Sequence, residues 1–373
     1  MRRLGISLYP DTSQRADDRQ YLLLAQQYGF TRVFTSLLQV TGTGHAASLA
    51  KLKATIADAR ELGFETIVDI NPALFNELGI RYDDLHFFSE LGASGLRLDE
   101  GFTGAEEARM TRNPYGLKIE INMSAGTNYL QSILSYHPQR ENLWGCHNFY
   151  PQKYTGLADA RFREYSRPYR AANIHTAAFV SAPSATTGPW PVHEGLPTLE
   201  SDRARPLATQ VTHLRMTGMV DDIIIANAYA TETELAAVAR AAAATVPTIT
   251  VELIDALSDT ERAIVLEGVA GEHLYRGDAS EYLLRSTLPR VHYADASIPP
   301  RQGAANFTRG DVIVVNDAYA RYKGELQIAL RNFPNDGRRN VVGRITDTDM
   351  VLLDLLAPWM SFALKEVPRA DGE

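Results

Sequence analysis

Short apolar runs recur along the chain, separated by longer stretches whose apolar residues return every three or four positions. The strand-like runs are Leu4–Pro10, Thr31–Leu37, Glu65–Asn71, Gly95–Gly101, Leu117–Ser124, Leu143–Pro151, His175–Pro183 and Asp221–Tyr229. They begin about 22 to 46 residues apart, a spacing that suits βα units joined by crossover helices. Helical spacing is plain over Ala16–Tyr28, Leu49–Leu62 and Leu85–Leu91, and Gly29, Gly63 and Gly92 follow the last turns. A glycine there fits the left-handed backbone that ends many helices. Glu232–Ala244 reads as an alanine-rich helix after the eighth strand. Eight alternating units predict an α/β fold, a (β/α)8 TIM barrel, over residues 1–245. A doubly wound sheet is the alternative, but no glycine-rich phosphate fingerprint follows the first strand.

Beyond Val246 the texture changes. TITVEL, HLYRG, VHYAD, GDVIVVND, GELQIAL and NVVGRI read as short strands, with helical periodicity only in Ser258–Glu267 and Asp349–Met360. Ile298–Gly303 is predicted to be a loop because of its two prolines. The second domain, residues 248–373, is therefore expected to be a small β-rich barrel.

Two strands carry the sharpest alternation. In GLRLDEGF, Leu96 and Leu98 oppose Arg97 and Asp99; in LKIEINMSAGTN, Ile119, Ile121 and Met123 oppose Glu120, Asn122 and Ser124. Side chains on a strand alternate sides, so each segment has one apolar and one charged face. A buried carboxylate is costly unless paired, which leaves a buried Arg97–Asp99 ion pair, a solvated sheet face or an active-site floor. The floor is the reading that organises the rest of the chain.

A barrel puts reactive groups at the C-terminal strand ends. Those ends carry Ser7, Tyr9 and Asp11; Thr35 and Ser36; Asp69 and Asn71; Arg97, Asp99 and Glu100; Glu120, Asn122 and Ser124; His147, Asn148 and Tyr150; Ser181; Asn227 and Tyr229. Carboxylates, amides and hydroxyls of this kind suit a ligand with many hydroxyls. Two carboxylates break glycosidic bonds as acid and as base or nucleophile. Asp69, Asp99 and Glu120 lie on consecutive strands and are the catalytic candidates. Glu120, mid-strand among apolar neighbours, is assigned the acid role, and Asp99 beside Arg97 the ionised one.

Composition narrows the classes. The net charge of −8 argues against nucleic acid and anionic membranes as partners. No apolar run approaches the roughly 20 residues that span a bilayer. The single cysteine, Cys146, excludes an intrachain disulfide and fits a reducing cytoplasm, and it reads as a small buried residue rather than a nucleophile. MRRLGISLYP lacks the apolar core of a signal peptide, so a cytoplasmic location is expected. No cofactor and no metal are expected: HExxH and CxxC are missing, and His45, His86, His137, His147 and His193 sit on different units. No GxSxG elbow occurs. His147 is either a phosphate or hydroxyl ligand or a satisfied structural histidine.

GISLYPDTS with DDRQYLLLAQQYGFTRVFTSLL, then VDINP, LRLDEGF, IEINMSAGTN, CHNFYP and EGLPTLE, resemble the bacterial 6-phospho-N-acetylmuramidase family. NFTRGDVIVVNDAYARYKGELQIAL and NVVGRI resemble that family's C-terminal domain. The resemblance implies a TIM barrel followed by a cyclophilin-like β domain. It implies hydrolysis of the β-1,4 bond between N-acetylmuramic acid 6-phosphate and N-acetylglucosamine, in cytoplasmic peptidoglycan recycling. The matching motifs contain Asp69, Asp99 and Glu120. Such a phosphorylated amino-sugar disaccharide carries a phosphate and a lactyl carboxylate, for which Arg97, Arg203 and Arg309 are the natural clamps. Asn122, Ser124, His147, Asn148, Tyr150, Glu194 and Asn227 complete the expected binding set. Tyr322, in RYKGELQI, joins it on the idea that the small domain caps the barrel mouth. Pro183–Pro197 departs from the family pattern and bears on sugar preference. Two other classes remain open: a non-catalytic sugar-phosphate binding protein, and a metal-assisted isomerase or lyase. Oligomeric state is not legible.

Overall fold

A computed structural model describes residues 3–38 and 45–367 of the chain. Eight parallel strands close into a barrel: β1 (Arg3–Ser7), β2 (Phe30–Ser36), β3 (Glu65–Ile70), β4 (Gly95–Leu98), β5 (Lys118–Asn122), β6 (Leu143–Cys146), β7 (His175–Val180) and β8 (Asp222–Ile225). Each strand pairs with its sequence neighbour, and Arg3 of β1 lies opposite Asp222 of β8 to close the ring. The helices between them are α1 (Arg15–Gln27), α2 (His45–Glu61), α3 (Pro72–Glu77), α4 (His86–Leu91), α5 (Ala105–Met110), α6 (Tyr129–Ser135), α7 (Asp159–Ala171), α8 (Leu207–Thr217) and α9 (Glu232–Ala243). Gly29, Gly63 and Gly92 have φ of 77°, 82° and 84°, so the helices stop where a side-chain-free residue can turn the chain.

Alternation along the strands sorts the side chains. Val68, Ile70, Leu96, Leu98, Ile119, Ile121 and Met123 share one apolar layer with Leu74, Phe88 and Leu130 of the surrounding helices. Leu4, Ile6, Val33, Val180, Ile223 and Ile225 do the same with Leu22, Val211 and Leu235. Burying each such side chain contributes about 1.5–3 kcal/mol. The residues between them therefore face the barrel interior, where Phe34, Cys146, Ala177, Phe179 and Ile224 form a separate apolar layer. Nearer the N-terminal strand ends lies a buried ion network. Arg32 binds Glu120 and, at 2.8 Å, Asp222, and none of the three side chains is exposed. Arg3 adds a second cation on Asp222 at 2.8 Å.

Residues 243–373 form a second compact unit. Its elements are β9 (Thr248–Leu253), α10 (Asp259–Leu266), β10 (His273–Leu274), β11 (Leu283–Ser286), α11 (Leu288–His292), β12 (Asn306–Phe307), β13 (Asp311–Val315), β14 (Leu326–Ala329), β15 (Phe333–Pro334), β16 (Arg339–Ile345) and β17 (Ser361–Glu366). Seven strands make a nearly closed, barrel-like sheet in the order β10-β17-β9-β16-β13-β14-β11, antiparallel except for β9 with β17. Ser258 starts α10 with a capping box, its hydroxyl accepting from Glu261 N–H while Glu261 reaches back to Ser258 N–H.

Two expectations are corrected here. The VHYAD segment is not a strand: α11 covers its start, nucleated by Pro289 in the first turn, where a missing N–H costs nothing. In Asp349–Met360 only Met350–Leu355 is helical, as a 3-10 turn, and strand β17 follows. No helix among the described residues is long and apolar enough to cross a membrane.

Candidate active site

Strand β3 turns Val68 and Ile70 outward, which sends Asp69 into the barrel mouth; β4 does the same for Arg97. The two residues are register partners, and Arg97 Nη1 donates to Asp69 Oδ1 at 2.7 Å. The same nitrogen reaches Asp99 Oδ1 at 3.2 Å, so one guanidinium edge holds two carboxylates. Arg97 Nη2 donates to the Asn148 side-chain carbonyl. Asp69 and Asp99 differ sharply in exposure, with side chains 6% and 37% open to solvent. Burial pushes the Asp69 carboxyl up to about 7, against the pull of Arg97.

Asn148 is held from behind by a chain of neutral hydrogen bonds. Its N–H donates to Ser124 Oγ at 2.9 Å, and Ser124 Oγ lies 3.0 Å from His147 Nδ1. His147 Nε2 lies 2.8 Å from Ser166 Oγ, whose own proton goes to the Phe162 carbonyl. That direction assigns the proton of His147 to Nε2, leaving Nδ1 to accept from Ser124. Burial, followed by the charge of Arg97, lowers His147 to about 3, so the ring stays neutral. Thr198 ties the loop after β7 to this network by donating to Asn148 O at 2.9 Å. Asn122 caps the other side, donating to Asp99 O at 3.1 Å.

The loops after β6, β7 and β8 enclose a cleft of about 460 Å³ lined by Lys153, Tyr154, Ser181, His193, Asn227 and their neighbours. Asn227 accepts from Ala182 N–H at 2.8 Å and donates to Ala182 O at 2.7 Å, and Ser181 Oγ accepts from Leu196 N–H. Arg203 grips Glu200 with two parallel bonds of 2.7 and 2.6 Å and donates to the carbonyls of Tyr150, Glu194 and Gly195. Hydrogen bonding from Arg203 holds Glu200 down to about 2. Below this loop, His213 sits between Asp202 at 2.7 Å and Asp159 at 2.8 Å.

Several assignments made from sequence change. Glu120 lies below the mouth: its apolar neighbours Ile119 and Ile121 face outward, and its own carboxylate ends on Arg32 in a fully closed layer. Arg97 spends both terminal nitrogens, and Arg203 its guanidinium, on partners within the protein. Arg309 belongs to the second unit, where it binds Asp354 at 2.8 Å and the Leu330 carbonyl. Tyr322 is in the same unit, packed on Tyr319 with Arg290 over its ring. His147 is a satisfied interior residue. Asn122, Ser124, Asn148, Tyr150 and Asn227 do gather round the mouth, and Glu194 lies on the cleft rim, its carboxylate accepting from Lys153 N–H. Sequence reading missed Thr198, Ser166, Arg32 and Lys153. An arginine inside the apolar run FTRVFTS was the one available signal for Arg32. Among the described residues no group of three or more His, Cys, Asp or Glu is placed to hold a metal ion. The side chain of His45 lies outside the described residues.

Comparison with known proteins adds to this geometry. The model of the 6-phospho-N-acetylmuramidase N-terminal domain matches residues 4–240, and that of its C-terminal domain matches residues 247–365. The chain belongs to the 6-phospho-N-acetylmuramidase family. It is therefore a glycosidase, and both domains of the family are present in order. An uncharacterized B. cereus protein of known structure is 42% identical, covering 98% of this chain and 99% of its own, with a TM-score of 0.87. A conserved Enterococcus faecalis protein of unknown function is 27% identical over 98% and 97%, with a TM-score of 0.73. No curated protein matches the chain.

Proposed function

We propose that this chain hydrolyses the β-1,4 bond between N-acetylmuramic acid 6-phosphate and N-acetylglucosamine, as a step of cytoplasmic peptidoglycan recycling. Asp69 and Asp99 are the reacting pair. The observation that carries this reading is their shared hold on Arg97 Nη1, one nearly buried and one open. Two oxygens bound to one nitrogen lie within about 6 Å of each other, close to the spacing of about 5 Å used by retaining glycosidases. Asp69, lifted to about 7, keeps a proton near neutral pH and gives it to the glycosidic oxygen as the C–O bond breaks. Asp99 reaches solvent and attacks the anomeric carbon. Water then hydrolyses the glycosyl ester, with the Asp69 carboxylate taking the water's proton. Arg97 positions both groups and Asn148 steadies Arg97.

The test is incubation of purified protein with the 6-phosphorylated muramyl–glucosaminyl disaccharide and its unphosphorylated counterpart, read by mass spectrometry. Cleavage of the phosphorylated sugar alone is expected. Cleavage of neither overturns the reading.

A further inference from the structure

The three arginines expected to clamp anions are all engaged inside the protein, yet the substrate proposed above carries a phosphate. The described loops at the C-terminal strand ends contain three lysine or arginine side chains: Lys153, Arg203 and Arg205. Arg203 is saturated by Glu200 and three carbonyls. Arg205 acts on the buried carboxylate of Asp202 and does not line the cleft. Lys153 does line it, and among the described residues its ammonium has no carboxylate partner.

Two carboxylates and one guanidinium share the cleft with Lys153. Glu200 is neutralised by Arg203 and accepts from the N–H groups of Tyr154 and Gly156. Glu194 accepts from Lys153 N–H and brings its negative charge to the cleft rim beside that lysine. His193, Thr186, Ser181 and Asn227 line the same space. TIM barrels frequently hold phosphate between the loops after strands seven and eight. That is the region this cleft occupies.

We infer that the cleft is an anion subsite in which Lys153 takes the 6-phosphate of the sugar. The inference rests on the substrate class proposed above and assigns the residue that reads it. Part of the wall is the Pro183–Pro197 segment, which contributes Pro183, Thr186, His193 and Glu194. A compact ammonium in a polar cleft binds phosphate as a point charge, without the planar match that an arginine offers.

The experiment is calorimetric titration of wild type, Lys153→Ala and Lys153→Arg with N-acetylmuramic acid 6-phosphate and with N-acetylmuramic acid. Lys153→Ala is expected to bind the phosphorylated sugar about tenfold or more weakly, the loss of one charge-assisted bond. Lys153→Arg should recover much of that affinity, and the unphosphorylated sugar should be indifferent to either change. Equal binding of the phosphorylated sugar by wild type and Lys153→Ala overturns the subsite. So does parallel weakening of both sugars, which would move Lys153 to the lactyl carboxylate. Because these ligands need no turnover, the subsite stands or falls independently of hydrolysis. An active hydrolase untouched by Lys153→Ala would sink the subsite alone.

Discussion

The carboxylate of Glu120 ends on the guanidinium of Arg32, and neither side chain has any solvent exposure. Arg32 also binds Asp222, so one guanidinium bridges two buried carboxylates, with Arg3 as a second cation on Asp222. Removing that cation strands buried charge, and Arg32→Met is expected to cost about 3–5 kcal/mol. Glu120→Gln keeps a hydrogen-bond acceptor and leaves Arg32 paired with Asp222, so about 1–3 kcal/mol is expected. Urea denaturation measures both. Turnover per folded Glu120→Gln molecule should match wild type; a folded but dead variant would return Glu120 to the chemistry.

Asp69 makes the opposite prediction. Asp69→Asn should lower kcat by about 10²–10⁴-fold while the circular dichroism spectrum is retained. The general acid must carry a proton, and its ordinary value is near 4, so wild-type activity should fall as pH rises through about 7. Asp69→Asn should lose that alkaline limb. A limb of the same midpoint in the variant would reassign the acid.

The close spacing of Asp69 and Asp99 also predicts stereochemistry. Proton NMR of the first-formed sugar should show net retention at the anomeric carbon. Net inversion would require a wider pair and remove Asp99 as nucleophile.

His213 braces the loop that carries Thr198, Glu200 and Arg203. Burial by itself lowers a histidine, but Asp159 and Asp202 outweigh it and lift His213 to about 9. A folded-state value above the unfolded 6.5 favours the protonated native form. The extra stability is therefore complete below about pH 6.5 and disappears as pH rises through about 9. Thermal melts of wild type and His213→Gln should differ at pH 6 and converge by pH 10. A constant gap across that range would refute the pairing.

Arg203→Lys tests the loop staple. A lysine cannot reproduce two parallel bonds to Glu200 together with the carbonyl contacts. KM for the disaccharide is expected to rise about tenfold with a smaller change in kcat, in proportion to one or two lost charge-assisted bonds. Unchanged kinetics would show that the loop holds its shape without the staple.

Much of the fold was legible because its signals are local. All eight barrel strands, the helices α1, α2, α4 and α9, and the three glycine stops follow from spacing and backbone freedom alone. The apolar faces of β4 and β5 were also legible, since a strand's period of two is a property of the chain itself. The second unit was harder. β12 and β15 are two residues long, and a proline turned VHYAD toward a helix.

Alternation along the strands determined that Asp69, Arg97, Glu120 and Asn122 would all point into the barrel. It did not determine which of them would share a layer. Strands in a barrel are staggered, so residues alike in local pattern end at different depths, some at the mouth and some in the closed interior. Glu120 fell one layer too deep and met Arg32, a residue 88 positions away in sequence. Asp69 and Asp99 were left at the mouth on either side of Arg97. The sequence by itself set the strands, their faces and the family. Only closure of the barrel decided which carboxylates stay at the mouth and which are sealed inside, because that choice rests on contacts between distant segments that no local period encodes.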